Sequence, residues 1–453
     1  MAALLIKNFL RTKGFIFGLL ILFLSGLTSL YIGKHFLEKN HEIVKKTAHF
    51  QQENIDRYVQ NTKEMGSLLY YIRFGLSNQA SNLAGLSIGQ RDINPAVMSV
   101  TIRNLQEQKY NTDLMNPMYQ LIGNLDFSFV LLYLFPLIII AFGFNLVSEE
   151  KEEGTWSLVL SQAISPLKML LIKMGIRYVS VLAVLLLLFF IAKLYLQISF
   201  DVAFIAYIVN SLLYVSFWFC AVWLVVSFHK NSSQNALILL TSWVLLTIVI
   251  PASVNAAIVH LYPAPEAFST VLESRDGYHT KWDKPKEPTI QKFYQRYPQF
   301  AQFKHPDEAD YSTLWYYAMQ QAGDDEAATQ ANALKEKLRK RDALSTTIGL
   351  VIPTIHTQLM LNSLSLSDMR NYLNFNEKLQ EFHERKKLYF FPKMFSNVPI
   401  LQENWKIFPL EYFQDKADVQ WLRAILPLLI ISMLCVLWAQ KNFIKNNTLN
   451  RHL

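Results

Sequence analysis

Residues 127–162 read FSFVLLYLFPLIIIAFGFNLVSEEKEEGTWSLVLSQ, with an uncharged run directly followed by an acidic one. The uncharged run, 127–147, has 21 residues, which is long enough to cross a bilayer as a helix. The acidic turn that follows, residues 148–153, cannot lie in hydrocarbon and must sit at or beyond a membrane face. The stretch therefore predicts an α-helical membrane protein with a water-exposed acidic turn between two spans.

Beyond the acidic turn, the pattern is typical of a short amphipathic helix. Such a helix lies against a membrane surface or docks in a groove of a partner protein. The alternative is an ordinary loop helix that stabilises only its neighbours. We predict docking of a second protein at the coupling segment, residues 149–165. Its candidate contact residues are Glu149, Glu150, Glu152, Glu153, Gly154, Thr155, Trp156, Leu158 and Leu160.

The composition excludes several classes of protein. Of the 453 residues, 52% are hydrophobic and 17% are charged, and the apolar residues are concentrated in blocks of spanning length. The net charge of +8 does not indicate nucleic-acid binding, because the basic residues lie mostly at span ends and form no contiguous patch. Cys220 and Cys435 lie inside apolar blocks, so the exposed parts have no disulfide framework. The histidines lack the spacing of a metal site.

Apolar blocks divide the chain into six spans and two large insertions. The predicted parts are 1–33 (N-terminus and first span), 34–126 (first insertion), 127–259 (spans two to five with the coupling segment), 260–420 (second insertion) and 421–453 (sixth span and C-terminus). The first insertion begins with helical spacing, as if the first span continued outward. We expect both insertions to form a mainly helical domain with few strands, in which Ser367-Asp368 begins a helix.

The distribution of lysine and arginine predicts the orientation. In short loops these residues collect at both termini, at 168–177 and at Lys230, which the positive-inside rule assigns to the cytoplasm. Six spans then place both termini inside and both insertions outside. We therefore expect a multi-pass membrane protein with both termini in the cytoplasm and a large domain outside.

The motifs of common enzyme classes are missing from the sequence. It contains no Gly-x-x-x-x-Gly-Lys-Ser/Thr, no His-Glu-x-x-His and no Gly-x-Ser-x-Gly. No core of a predicted span carries Asp, Glu or His, which argues against an ion-coupled carrier. We therefore expect that the chain is not an enzyme, binds no cofactor or metal of its own, and receives energy from a partner.

Positions between the second and third spans follow a distinctive order: Glu150, Glu152, Gly154, Thr155, Ser161, Gln162, Ser165 and Lys173. This order resembles the cytoplasmic coupling segment of type-2 ABC exporter permeases, in the subgroup with large periplasmic insertions. The resemblance implies a six-span permease subunit that pairs with an identical or a different permease and with an ABC ATPase dimer holding ATP-Mg. It also implies that Glu150, Glu152 and Gly154 position the coupling helix, with Gly154 permitting a tight bend at its start. The same resemblance implies a bacterial inner (cytoplasmic) membrane with a large periplasmic domain.

A translocation path would lie at the interface of the two permeases. The candidate lining residues are Asn145, Asn210, Pro251 and Asn255. Amides in spans serve more commonly as interhelical hydrogen-bond partners, and Pro251 is expected to unwind the fifth span locally. The aromatic fourth span suits an amphipathic, lipid-like or peptide cargo, although such residues also serve ordinary packing against membrane lipids.

The sequence is also compatible with two other classes of function. In a mechanotransmission complex, the ATPase would move the periplasmic domains and nothing would cross the membrane. A plain membrane scaffold or receptor would bind no ATPase at the acidic turn. A polar path between the spans favours a transporter, whereas a sealed interface with mobile outer helices favours mechanotransmission.

Overall fold

The computed structural model describes residues 9, 11–110, 124–156, 166–306 and 309–449. Within these ranges, six helical stretches are long and apolar enough to cross a membrane. They are Lys13–Asn61, Phe127–Glu152, Leu167–Tyr195, Val202–Val226, Ser232–His279 and Trp421–Lys445. The predicted fold class, a mainly helical membrane protein with six spans, is confirmed.

Helices dominate the chain, and strands are few. The helices are α1 (Lys13–Asn61), α2 (Met65–Tyr71), α3 (Leu105–Tyr110), α4 (Phe135–Gly143), α5 (Ser148–Glu152), α6 (Pro166–Tyr195), α7 (Val202–Val226), α8 (Ser232–Val244), α9 (Ile250–Leu261), α10 (Glu266–His279), α11 (Glu287–Arg296), α12 (Thr313–Gly349), α13 (Pro353–Leu364), α14 (Met369–Phe395) and α15 (Trp421–Leu449). The strands are β1 (Phe74–Asn78), β2 (Val97–Val100) and β3 (Glu411–Phe413). In the sheet, β1 pairs antiparallel with β2 and parallel with β3.

The first span and the start of the first insertion form one uninterrupted helix, as the helical spacing predicted. Helix α1 has 49 residues, which corresponds to a length of about 70 Å. It contains no proline, so no backbone donor is missing along it. The helix therefore extends well beyond any bilayer and joins the outer domain at Asn61.

Helix α7, the fourth span, lies at the centre of the membrane core. Its Tyr207, Tyr214 and Trp218 are completely buried. It packs against α4, α13 and α15. The aromatic residues of the fourth span thus fill the space between neighbouring helices.

The second insertion does not lie wholly apart from the spans. Helices α12 and α13 form a hairpin, and α13 packs against α7 and α15. Leu361 and Leu364 belong to the apolar cluster of the membrane part. The Thr354 hydroxyl lies 3.4 Å from that of Tyr214 in α7, and His356 Nε2 lies 3.3 Å from the carbonyl oxygen of Ala424 in α15. Helix α13 is therefore a part of the membrane core that comes from the second insertion.

The remainder of the two insertions shares a separate apolar core. Phe74 on β1, Phe293 on α11 and Phe390 on α14 are buried together. Helix α14 begins as the sequence predicted, because the Asp368 carboxylate accepts a hydrogen bond from the N–H of Asn371 at 3.1 Å. Segments far apart in the chain thus form one outer domain on top of α1.

Gly33 provides a test of the contact between α1 and the turn Asn82–Gly85, which packs against the membrane core. A Cβ atom at this position would lie 1.9 Å from the carbonyl oxygen of Gly85. We expect Gly33→Ala to destabilise the protein by about 1–3 kcal/mol, because backbone atoms on both sides must move. Thermal unfolding of the purified protein in detergent measures the effect.

Gly175→Ala is the matched control, since a Cβ atom at Gly175 in α6 meets nothing within 4 Å. This substitution is expected to leave stability unchanged or to raise it slightly. Equal melting temperatures for the two variants would contradict the close approach at Gly33.

Candidate functional site

The acidic turn forms the short helix α5 and ends in a left-handed residue. Gly154 has a φ of 73°, a conformation that other L-amino acids rarely adopt. Its N–H donates to the carbonyl oxygen of Lys151 at 3.2 Å. The bend expected at Gly154 is therefore present, and it directs the chain away from α5.

Glu150 connects the acidic turn to the third span. Its carboxylate forms an ion pair with Lys173 of α6 and accepts a hydrogen bond from the Thr155 hydroxyl at 2.6 Å. The side chains of Glu150 and Lys173 are 19% and 20% exposed, so water screens this pair less than a surface pair. The interaction holds α5 against α6.

Glu152 connects the same turn to the fifth span. Its two carboxylate oxygens accept hydrogen bonds from the N–H and the hydroxyl of Ser232, each at 2.7 Å. Ser232 is the first residue of α8, and a carboxylate is favourable at a helix N-terminus because of the exposed N–H groups and the helix dipole. Ser148 adds a further contact, with its hydroxyl 2.7 Å from that of Ser232.

The other residues of the coupling segment differ in their surroundings. Glu149 accepts from the amide of Asn145 at 3.1 Å, whereas Glu153 is exposed. Trp156 packs against the membrane core. Leu158 and Leu160 lie outside the described residues, as does the amphipathic helix predicted there.

His229, between the fourth and fifth spans, faces the acidic turn. Its Nδ1 lies 3.5 Å from Nζ of Lys151. Burial and, secondarily, the charge of Lys151 lower the pKa of His229 to about 4. The imidazole is therefore neutral near pH 7 and accepts from the ammonium group instead of repelling it.

A second candidate site is a cleft of about 260 Å³ between the fifth span and the α12–α13 hairpin. Its lining combines hydroxyl and amide groups with aliphatic side chains. The lining residues are Tyr133, Thr247, Pro251, Val254, Asn255, Ile258, Ser345, Thr354, Ile355, Gln358 and Leu359. Mixed linings of this kind suit ligands with both apolar and polar parts.

The second and fifth spans, which also contact α13, each contain a π-helical turn just before a proline. The turns are 130–134, before Pro136, and 245–249, before Pro251. Such turns occur often at functional sites. At Pro251, where local unwinding was expected, the helix does not break but continues from a wider π-helical turn, which accommodates the proline ring.

The candidate pathway residues separate into two groups. Pro251 and Asn255 line the same cleft. Asn145 bonds to Glu149 in the acidic turn, and Asn210 donates to the carbonyl oxygen of Ala424 at 3.0 Å. Asn210 thus serves as an interhelical partner, and only two of the four proposed lining residues share a cleft.

Sequence reasoning missed Ser232 and the position of α13. The role of Ser232 was indicated by the run Asn231-Ser232-Ser233, which is typical of a helix start. In the structure, Asn231 caps α8 by accepting a hydrogen bond from the N–H of Gln234 at 2.8 Å. The signal for the position of α13 was the apolar stretch 348–355 around Pro353. Short apolar stretches of this kind are typical of buried or re-entrant segments.

Two regions of the chain match known family models. Residues 84–214 match the family model described as ABC-2 membrane transporter related. Residues 266–412 match a domain of unknown function, DUF3526, which is found in ABC-2 permeases. No curated protein and no solved structure matches the chain.

These matches and the six candidate spans define a polytopic ABC-transporter membrane subunit. The resemblance to ABC-2 permeases is thus confirmed by the two matched domains. It is thus a multi-pass membrane protein and the permease component of an ABC transporter, a class that works with an ATPase partner.

Tyr214 allows a test of how the spans meet at the cleft. Pro136 lacks an N–H group, so the carbonyl of Leu132, four residues earlier, has no α-helical partner there. The Tyr214 hydroxyl donates to that oxygen at 3.0 Å. We expect Tyr214→Phe to lower the free energy of unfolding by about 0.6–2 kcal/mol, measured by thermal or denaturant unfolding in detergent.

A double-mutant cycle with Pro136→Ala makes this test specific. Alanine restores a backbone N–H, so the loss of the tyrosine hydroxyl should cost less in the Pro136→Ala background. Tyr195→Phe, at an exposed tyrosine, controls for the general effect of removing a hydroxyl. An identical cost in both backgrounds would show that the hydroxyl does not replace the missing donor.

Proposed function

We propose that the chain is the permease of an ATP-driven exporter and that its acidic turn receives the motion of the ATPase. The observation that carries this proposal is the pair of carboxylate contacts at the turn. Glu150 holds α6 through Lys173, and Glu152 holds the start of α8 through Ser232. A displacement of the turn therefore acts on two spans at once.

In this proposal, transmission and docking use different residues of the turn. Glu150 and Glu152 bond within the chain, so they transmit motion. Glu153 is exposed and is available to a basic group of the partner. The left-handed Gly154 would let the rest of the coupling segment leave the membrane face toward a groove of the ATPase.

The proposed assembly has two permeases and an ATPase dimer. Only 11% of the apolar window of Ser232–His279 is buried, compared with 61% for Phe127–Glu152. On that uncovered span, Ser253 and Asn255 are exposed beside the small residues Ala252 and Ala256. Small and polar side chains favour contact with another helix over contact with lipid, which supports a second permease, identical or different, at this face.

ATP-Mg would bind to the partner, and this chain would have no enzymatic activity or cofactor of its own. We place the protein in the bacterial inner membrane with both termini in the cytoplasm. The acidic turn then faces the ATPase, and the outer domain lies in the periplasm. The basic residues at the span ends support this orientation.

The cargo in this proposal is amphipathic, lipid-like or peptidic. The mixed lining of the cleft near Pro251 and Asn255 supports this class, because it offers hydroxyl and amide groups next to aliphatic surface. The cleft lies beside the uncovered fifth span, where a second permease would complete its wall.

Mechanotransmission is the second candidate, and one observation favours it. Helix α1 continues without interruption from the first span into the outer domain, so movement of the span would reach the outer domain directly.

The transporter reconstituted into lipid vesicles distinguishes the two functions. ATP-dependent loss of a fluorescent lipid from one leaflet supports export, whereas ATP-dependent movement of the outer domain without such transport supports mechanotransmission.

Reversing the charges of the Glu150–Lys173 pair tests the transmission. We expect Glu150→Lys to reduce the permease-dependent ATPase activity of the complex about tenfold, because two ammonium groups then repel across α5 and α6. Glu150→Lys combined with Lys173→Glu should restore part of this activity. The ABC ATPase encoded nearest to this gene serves as the partner, and phosphate release is measured.

Two control variants separate transmission from docking and from charge. Glu153→Lys is expected to weaken co-purification of the ATPase while leaving the melting temperature unchanged. Asp283→Lys, at an exposed acidic residue of the outer domain, should change neither property. Wild-type ATPase activity of the complex with Glu150→Lys would refute transmission through this ion pair. An activity that is lost in Glu150→Lys and does not recover in the charge-reversed double variant would refute it as well.

A further inference from the structure

A groove in the outer domain has the composition of a ligand site and is not used by the proposed transport mechanism. It has a volume of about 430 Å³, within the usual range for small-molecule pockets. One wall is a face of α1, and the opposite wall comes from α2 and from β2 with the residues after it. The lining residues are Thr47, Phe50, Gln51, Asn54, Tyr58, Tyr70, Tyr71, Arg73, Ser99, Thr101 and Arg103.

Aromatic rings supply the apolar part of this groove. Tyr58 of α1 and Tyr71 of α2 stack with ring centroids 5.3 Å apart and nearly parallel planes. Tyr71 is 52% exposed and Phe50 is 62% exposed. Large exposed rings gathered around a concave surface are typical of a binding site, whereas isolated exposed apolar residues are ordinary.

Two arginines supply the charged part. Arg103 lies 4.4 Å from the ring centroid of Tyr70, and its Nε donates to the Thr101 hydroxyl at 3.2 Å. Arg73 donates from Nη1 to the carbonyl oxygen of Ser99 at 3.3 Å. These contacts orient both guanidinium groups and leave other N–H donors of each available.

The groove lacks the negative charge that would balance these arginines. Its described lining contains no Asp or Glu. Within the described ranges of the chain, neither Arg73 nor Arg103 forms an ion pair with a carboxylate. Charge complementarity therefore favours an anionic ligand, and guanidinium groups bind carboxylates and phosphates well because of their planar arrangement of donors.

The geometry points to a binding site for a small, soluble organic anion, in which the arginines hold a carboxylate or phosphate and the rings hold an aromatic or aliphatic body. A lipid headgroup within the bilayer is a less suitable source of that anion. Thr47 is the lining residue of α1 nearest to the first span, and it lies 13 residues beyond Lys34, or about 20 Å along the helix. The ligand would therefore reach the groove from the aqueous side.

The test uses the full-length protein in nanodiscs of zwitterionic lipid, with 2-naphthoate as the probe and empty nanodiscs subtracted. Isothermal titration should show saturable binding of naphthoate, and binding of the neutral 2-naphthamide should be at least about tenfold weaker. Arg103→Gln and Arg73→Gln should each weaken naphthoate binding by about tenfold or more, as expected for loss of a charge-assisted hydrogen bond.

Lys292→Gln is the matched control, because it removes one positive charge from an exposed position of α11 outside the groove. It should bind naphthoate as the wild type does, and melting curves verify that all variants are folded. Absence of saturable binding by the wild type, equal binding of the amide, or unchanged affinity in both arginine variants would overturn the assignment.

A second arm distinguishes a soluble ligand from a lipid. Nanodiscs containing anionic lipid should give the same naphthoate affinity after correction for the empty discs, since the groove lies beyond the headgroups. If anionic lipid clearly lowered the naphthoate affinity, and this loss depended on Arg73 and Arg103, a lipid headgroup would occupy the groove. That result would overturn the assignment to a soluble anion. Neither arm involves the ATPase, so its result is independent of the proposed transport function.

Discussion

Inside a bilayer, a backbone carbonyl has no water to bond with, and every such group needs a partner within the protein. Pro136 creates this need at Leu132, and Tyr214 of α7 meets it. The hydroxyl must reach one particular oxygen, so the bond fixes the relative height of the second and fourth spans. The neighbouring carbonyl of Tyr133 accepts a hydrogen bond from the indole N–H of Trp243 at 3.2 Å. This bond connects the fifth span to the same π-helical turn, residues 130–134.

The entry of α13 into the membrane core follows from the same requirement. A helical segment from the second insertion is tolerated among spans when its polar groups find partners there. Thr354 contacts the hydroxyl of Tyr214, and His356 contacts the carbonyl of Ala424. The hairpin therefore ties the outer domain to the fourth and sixth spans, while the acidic turn ties the second span to the third and the fifth. Each of these five spans is therefore constrained by one of the two polar networks.

Much of this architecture was predictable because its signals are local. The six spans follow from runs of uncharged residues, the continuation of α1 from helical spacing without proline, and the start of α14 from Asp368. The contacts between distant segments had no such signal. Glu152 and Ser232 are separated by 80 residues, and α13 was assigned to the outer domain together with the rest of residues 260–420.

The candidate site residues also divide into those that local sequence identifies and those whose role depends on contacts between distant segments. Glu150 and Gly154 were identified from their order along the chain, and the structure gives Glu150 a partner in Lys173. The choice among the asparagines could not be made from sequence, because an amide in a span looks the same whether it bonds to a neighbouring helix, as Asn210 does, or lines a cleft, as Asn255 does. That difference depends on which helix lies opposite.

The close approach of Gly33 and Gly85 gives helix α1 a pivot point. The backbones are too close there for α1 to slide along the turn at Gly85. A tilt of the first span therefore rotates α1 about this point and moves the part of the helix that lies beyond Gly33. That part runs to Asn61 over 28 residues, or about 42 Å, so a rotation of about 10° would sweep its end through about 7 Å. A small change of angle in the membrane thereby becomes a displacement in the outer domain about as large as a side chain.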